Sequence, residues 1–271
     1  MNLMIECLHP GISARQARVV LFDFDGTLSL IRAGWLDVMV PMMVEILAEL
    51  KTGESEEELR ALVEDYVARL TGEQTIYQFI ELARQVEQRG GQPLDPRAYK
   101  QMYHQRLMDK IEWRREELRQ GNVSPDKYLV PGARPLLEAL RGRGLRLYCA
   151  SGTDHSYTQE ETQLLDIARY FDGGVHGALD DYRSFSKAIL IQRMLASAEC
   201  RADGLLGFGD GYVEIKDVKD AGGVAVGVAT DEPECRKVNA WKRQRLASVG
   251  ADFIIANFLC HEQLLHTLFP E

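Results

Sequence analysis

The chain has 271 residues, 45% of them hydrophobic and 27% charged, a balance that excludes disorder and suits one large domain or a core carrying an insert. Forty-one acidic against 32 basic side chains leave a net charge of −9, which argues against nucleic acid or an anionic membrane as partner. The opening MNLMIECLHPG lacks the basic-then-apolar pattern of an export signal, and Glu45 interrupts the longest apolar stretch, so neither export nor a membrane span is expected. Five scattered cysteines, Cys7, Cys149, Cys200, Cys235 and Cys260, form no CxxC pair and read as small buried hydrophobes in a reducing cytoplasm.

In chain order, Ala17 to Phe22 (ARVVLF) is a β-branched apolar run that stops at Asp23, the pattern of a first, buried strand reaching the edge of a sheet. From Trp35 to Gly121 the periodicity is helical. Ser55 with Glu58 has capping-box spacing, Gly90-Gly91 stops the helix within GEQTIYQFIELARQVEQR, and Asp95-Pro96 opens a long helix that ends at Gly121. Pro41 is expected to kink or restart the first of these helices. After Pro131-Gly132 helix and strand alternate: ARPLLEALRGRG, the strand LRLYCA, a helix from His155, a strand at 204–208, the strand VAVGVA, a helix over 238–247, the strand DFIIANF and a short last helix. The expected fold is α/β, a Rossmann-like doubly wound parallel sheet. Its core comprises residues 1–30 and 127–271, and residues 31–126 form an inserted helical lid in which specificity is expected to reside.

Four segments carry chemistry. In LFDFDGTLSL, Asp23 and Asp25 lie two residues apart, so an extended backbone aims both carboxylates to one side, where a hard cation such as Mg²⁺ is the simplest partner; turns and calcium loops share this DxD pattern. LRLYCASGT ends a strand in Ser151, Gly152 and Thr153, whose hydroxyls and free N–H groups suit an anion or a plain helix cap. Lys187 stands at a helix start, where it is either solvated or able to hold a carboxylate and a phosphate together. In LLGFGDGYVEIKD an acid, Asp210, again ends an apolar strand among glycines, and Glu214 follows four residues on, so a helical turn places two anions on one face and again asks for a cation.

Together these segments resemble the haloacid dehalogenase superfamily of hydrolases: DFDGT as its first motif, the strand ending at Ser151 as the second, Lys187 as the third and GDGYVE as the fourth. The helical insert is similar to the helical cap of phosphoglycolate phosphatase and β-phosphoglucomutase relatives. The resemblance implies a Mg²⁺-dependent phosphatase acting on a sugar phosphate or similar small phosphomonoester through an aspartyl phosphate. Asp23 would be the nucleophile and Asp25 the acid and base. Asp23, Asp25 and Asp210 would serve the metal, and Thr27, Ser151, Gly152 and Lys187 the phosphate. Glu214 stands where the family usually has aspartate, which implies a water-mediated or supporting role at the metal. A phosphomutase with the same acids, and a phospholigand-binding module without turnover, are the alternatives; a monomer or homodimer is expected.

Other patterns are incomplete. Ser184-x-x-Lys187 and Ser124-x-x-Lys127 lack the companions of penicillin-recognising enzymes, His261 to His266 has one residue too many for HExxH, and no GxGxxG follows the first strand. His155 reads as a solvated first-turn residue or a substrate contact, and EWRREELR as a solvated mixed-charge face. Arg32, Trp35, Gln74 and Thr75 are candidate specificity contacts or ordinary lid packing.

Overall fold

The computed structural model describes residues 5–179, 181–183, 186–198 and 201–270; Cys200 and Ser184 lie outside them. The strands are β1 (Ile5–Cys7), β2 (Val19–Asp23), β3 (Arg146–Asp154), β4 (Val175–Ala178), β5 (Leu205–Gly209), β6 (Val224–Val228) and β7 (Phe253–Ile255). They form one sheet in the order β1-β7-β6-β5-β2-β3-β4, parallel throughout except for β1, which runs antiparallel to β7. Two strands were not expected: β1 and β4 are short edge strands without a run of alternating apolar residues. The strand expected first is therefore the second.

β2 is buried along its whole length, and its alternation feeds two apolar layers. Val20 and Phe22 pack in the layer of α5 (Ala133–Gly142) and α10 (His261–Leu268), whereas Val19 and Leu21 pack with α7 (Lys187–Ser197), α8 (Tyr212–Asp220) and α9 (Ala240–Ser248). Helices thus cover both faces, as a doubly wound sheet requires. Phe22 stacks on Phe208 of the neighbouring strand at 4.6 Å between ring centroids.

Between β2 and β3 stand four helices, α1 (Leu36–Ala48), α2 (Glu56–Arg69), α3 (Ile76–Gln88) and α4 (Pro96–Arg119). Their ends follow the local signals. Ser55 and Glu58 form the reciprocal capping box, Asp95 accepts from Arg97 N before Pro96, and Gly90 and Gly121 take positive φ just past α3 and α4. Pro41 does not restart α1, which runs through it; the proline removes one backbone hydrogen bond, near the helix start. No helix among the described residues is long and apolar enough to cross a membrane. Cys149, Cys235 and Cys260 are buried, but Cys7, on the edge strand, is exposed, contrary to the buried reading.

Candidate active site

Parallel strands deliver their C-terminal ends to one edge of the sheet. β2 ends at Asp23 and β5 just before Asp210, while β3 carries Ser151 to Thr153 to the same edge. There a cavity of about 100 Å³ is lined by Asp23, Asp25, Ser151, Gly152, Lys187, Asp210 and Glu214. The helical insert supplies the opposite wall, including Trp35, Met39, Thr75, Gln78 and Tyr103.

Seven of the eight expected site residues therefore converge. The eighth, Thr27, is fully buried behind the cavity, where its hydroxyl donates to Asp23 Oδ2 at 3.3 Å. Lys187 opens α7 just after the Ser186 N-cap and is buried rather than solvated: its Nζ donates to Asp23 Oδ1 at 2.6 Å and also to Glu214. Ser151 and Thr153 do not cap the helix that follows, whose N-cap is Asp154; both hydroxyls donate instead to Asp25 Oδ2 at 2.9 Å.

Burial raises the Asp23 carboxyl well above the ordinary aspartate range; Lys187 opposes this, and the like charges of Glu214 and Asp210 add to it. Burial likewise pushes Asp210 up to about 6 against the pull of Lys242, with Glu232 and Glu214 adding. For Glu214 burial also works upward, but Lys187 prevails and holds it below the ordinary glutamate value.

Lys242 and Glu232 carry no recognisable motif and were not anticipated. Lys242 Nζ, from α9, donates to Asp210 Oδ2 at 2.7 Å and to Glu232 Oε1 at 2.6 Å. Gly72 was also missed. Its φ is +102°, and a Cβ there would stand 2.2 Å from Glu214 Oε2, so only glycine lets this turn of the insert sit against that carboxylate.

The donors are hard oxygens, Asp25 Oδ1 and Glu214 Oε2 are buried without a hydrogen-bond partner, and Asp210 is among the anions that raise Asp23. No ready cage of three or more ligating side chains exists among the described residues. The uncompensated buried charge and the oxygen donors nevertheless fit a divalent cation in chemistry.

Of the candidate specificity residues, Arg32, Trp35 and Thr75 line the cavity, but Gln74 does not; its amide donates to the Tyr182 carbonyl at 2.7 Å. His155 is neither free in solvent nor in the cavity, because its Nδ1 accepts from Gly177 N at 3.2 Å. Within EWRREELR, Arg115 is not solvated. It is buried and paired with Glu112, Glu160 and Glu161, because α4 turns this side chain onto α6 (His155–Leu164).

A family model for haloacid dehalogenase-like hydrolases matches residues 17–222. No curated protein matches the sequence. Among solved structures, the chain is similar to a predicted phosphoglycolate phosphatase from Haemophilus somnus 129PT, with 17% identity and a TM-score of 0.57 over 92% of this chain and 98% of that one. It is similar to a predicted phosphatase from Clostridium acetobutylicum, with 18% identity and a TM-score of 0.57 over 92% and 99% of the chains. It is also similar to β-phosphoglucomutase from Clostridium difficile, with 12% identity and a TM-score of 0.58 over 93% and 97%. At these identities the likeness is one of fold.

Proposed function

Since the chain belongs to the haloacid dehalogenase-like hydrolases, we propose that it is a Mg²⁺-dependent phosphatase that hydrolyses a small phosphomonoester, a sugar phosphate or similar metabolite, through an aspartyl phosphate. The observation that carries this reading is the meeting of residues far apart in sequence: Lys187 lies 2.6 Å from Asp23, beside an Asp25 held by two hydroxyls.

Asp23 attacks phosphorus in line; an Asp23 Oδ–P bond forms as the P–O ester bond breaks, and Asp25 passes its proton to the leaving alkoxide. Asp25, now a carboxylate, takes a proton from the water that opens the acyl phosphate. Lys187 steers the Asp23 carboxylate and offsets its charge as the phosphate approaches, while the Gly152 N–H receives a phosphate oxygen and the single Ser151 hydroxyl proton turns from Asp25 to another, leaving Thr153 to hold Asp25. Thr27 holds Asp23 from behind. Asp23, Asp210 and the Asp25 backbone carbonyl would hold Mg²⁺, which supplies the positive charge that lets two anions meet. Glu214 supports the site through Lys187. In this reading residues 1–30 and 127–271 are the catalytic core and 31–126 the lid.

The test is inorganic phosphate release from a panel of phosphomonoesters with and without Mg²⁺, with Asp23→Asn as control. Release that needs both Mg²⁺ and Asp23 is expected; an Asp23→Asn enzyme keeping a tenth of the activity overturns the nucleophile. Isomerised sugar phosphate in a coupled assay would instead make the enzyme a mutase, and Mg²⁺-dependent binding without turnover would make it a binding module.

A further inference from the structure

We propose that Arg32, fixed by Glu161, is a positioning residue that keeps the Asp25 carboxyl turned for proton transfer to the ester's leaving group. The inference rests on the phosphatase reading above.

The two oxygens of Asp25 have different surroundings. Oδ2 accepts from both Ser151 and Thr153, whereas Oδ1 is buried with no hydrogen-bond partner. A buried carboxylate oxygen left without a donor is costly, so the carboxyl's orientation on this side depends on the nearest charge rather than on a hydrogen bond. The nearest cation, Arg32 Nε, stands 3.8 Å from Oδ1, close enough to attract it and too far to occupy it.

Glu161 sets that separation. It is completely buried and takes the guanidinium in a two-pronged grip, Nε to Oε2 at 3.0 Å and Nη2 to Oε1 at 2.7 Å. The ring of Tyr157 lies 5.5 Å from the Arg32 guanidinium carbon and 5.2 Å from that of Arg115, which also reaches Glu161 at 3.5 Å. Arg32 thus cannot swing toward Asp25 without giving up Glu161. Removing the Glu161 charge frees Arg32 to close on Oδ1 and draw the carboxyl out of place. Shortening Arg32 lets the Asp25 carboxyl turn. In the reaction the Asp25 proton goes to the ester oxygen as the P–O bond breaks and the Asp23–phosphorus bond forms, so either change slows that transfer.

The experiment compares kcat/KM, which reports the first phosphoryl transfer, on two esters: an alkyl phosphate that the wild type hydrolyses, and p-nitrophenyl phosphate, whose leaving group needs no proton. In Glu161→Gln and Arg32→Lys the alkyl ester is expected to lose about thirtyfold or more relative to the aryl ester, within the reach of general acid catalysis. Glu161→Asp, which keeps the charge but shortens the grip, is expected to fall between, and serves if Glu161→Gln does not fold. Equal losses on both esters, as a purely structural or binding role predicts, overturn the inference, and so does no loss on either. A folded wild-type enzyme that releases phosphate from neither ester overturns the phosphatase reading itself, and this inference with it.

Discussion

Asp210→Asn is expected to make the metal-free protein more stable while destroying its activity. Burial lifts the Asp210 carboxyl from 3.8 to about 6 even with Lys242 beside it. At 1.36 kcal/mol per pH unit, that shift means the ionised form costs the fold about 3 kcal/mol at neutral pH. Asparagine has nearly the same shape as the neutral acid, and Lys242 keeps Glu232 at 2.6 Å, so the substitution strands no cation. The sign follows from proton binding. Between about pH 4 and 6 the native wild type holds a proton that the unfolded chain has released, so wild-type stability falls as pH rises through this window. The variant lacks that fall, and its advantage opens across the same window, small at pH 4 and complete by about pH 7. Urea unfolding in chelator, monitored by circular dichroism from pH 4 to 8, measures it. Mg²⁺ at about a hundred times its dissociation constant is expected to return about 2.7 kcal/mol to the wild type alone and nearly close the gap. A variant no more stable than wild type at pH 7 in chelator, or an advantage unchanged between pH 4 and 7, would refute the reasoning.

Gly72→Ala places a methyl group against the Glu214 carboxylate at a φ that alanine tolerates poorly, and is expected to lower kcat/KM by about tenfold or more and stability by about 1–3 kcal/mol; unchanged kinetics would mean that this turn does not bear on the site. Glu214→Gln, which acts through Lys187, is expected to lower kcat by about tenfold without moving the Mg²⁺ concentration for half activation, whereas a tenfold shift in that concentration would place Glu214 on the metal. Arg115→Ala leaves Glu161 with one cation fewer and is expected to cost about 2–3 kcal/mol in urea unfolding at pH 7. A loss below about 0.5 kcal/mol would show that Arg32 alone satisfies Glu161.

The central strands and the helix ends were legible because their causes are local. VVLFD alternates between two apolar layers and stops at an acid, and the Ser55 and Asp95 caps satisfy backbone groups within three residues. β1 and β4 were not legible because neither has a pattern of its own; the exposed edges of β7 and β3 recruit them. The same division holds at the site. Asp23, Asp25 and Asp210 announce themselves as acids ending buried strands, but Lys242 is one cation in the run KVNAWKRQR until α9 brings it to Asp210. Arg115 was misread because charges three and four residues apart look alike whether a helix face meets water or another helix. Only the packing of α4 on α6 separates the two cases.

The strand that carries Asp23 lies in the middle of the sheet, between β3 and β5, and both of those neighbours come from much later in the chain. During synthesis at about 5–20 residues per second, on the order of ten seconds separate the appearance of Asp23 from that of Arg146, where the first neighbour begins. Throughout that interval VVLF is an apolar strand with two open edges, prone to pair with another chain. The intervening helices α1 to α4 pack mainly on one another, so most of their contacts can form within that interval, while those of α4 to α6 come later. The length of the insert therefore sets how long this strand waits for its first neighbour, a delay that a shorter connection would not impose.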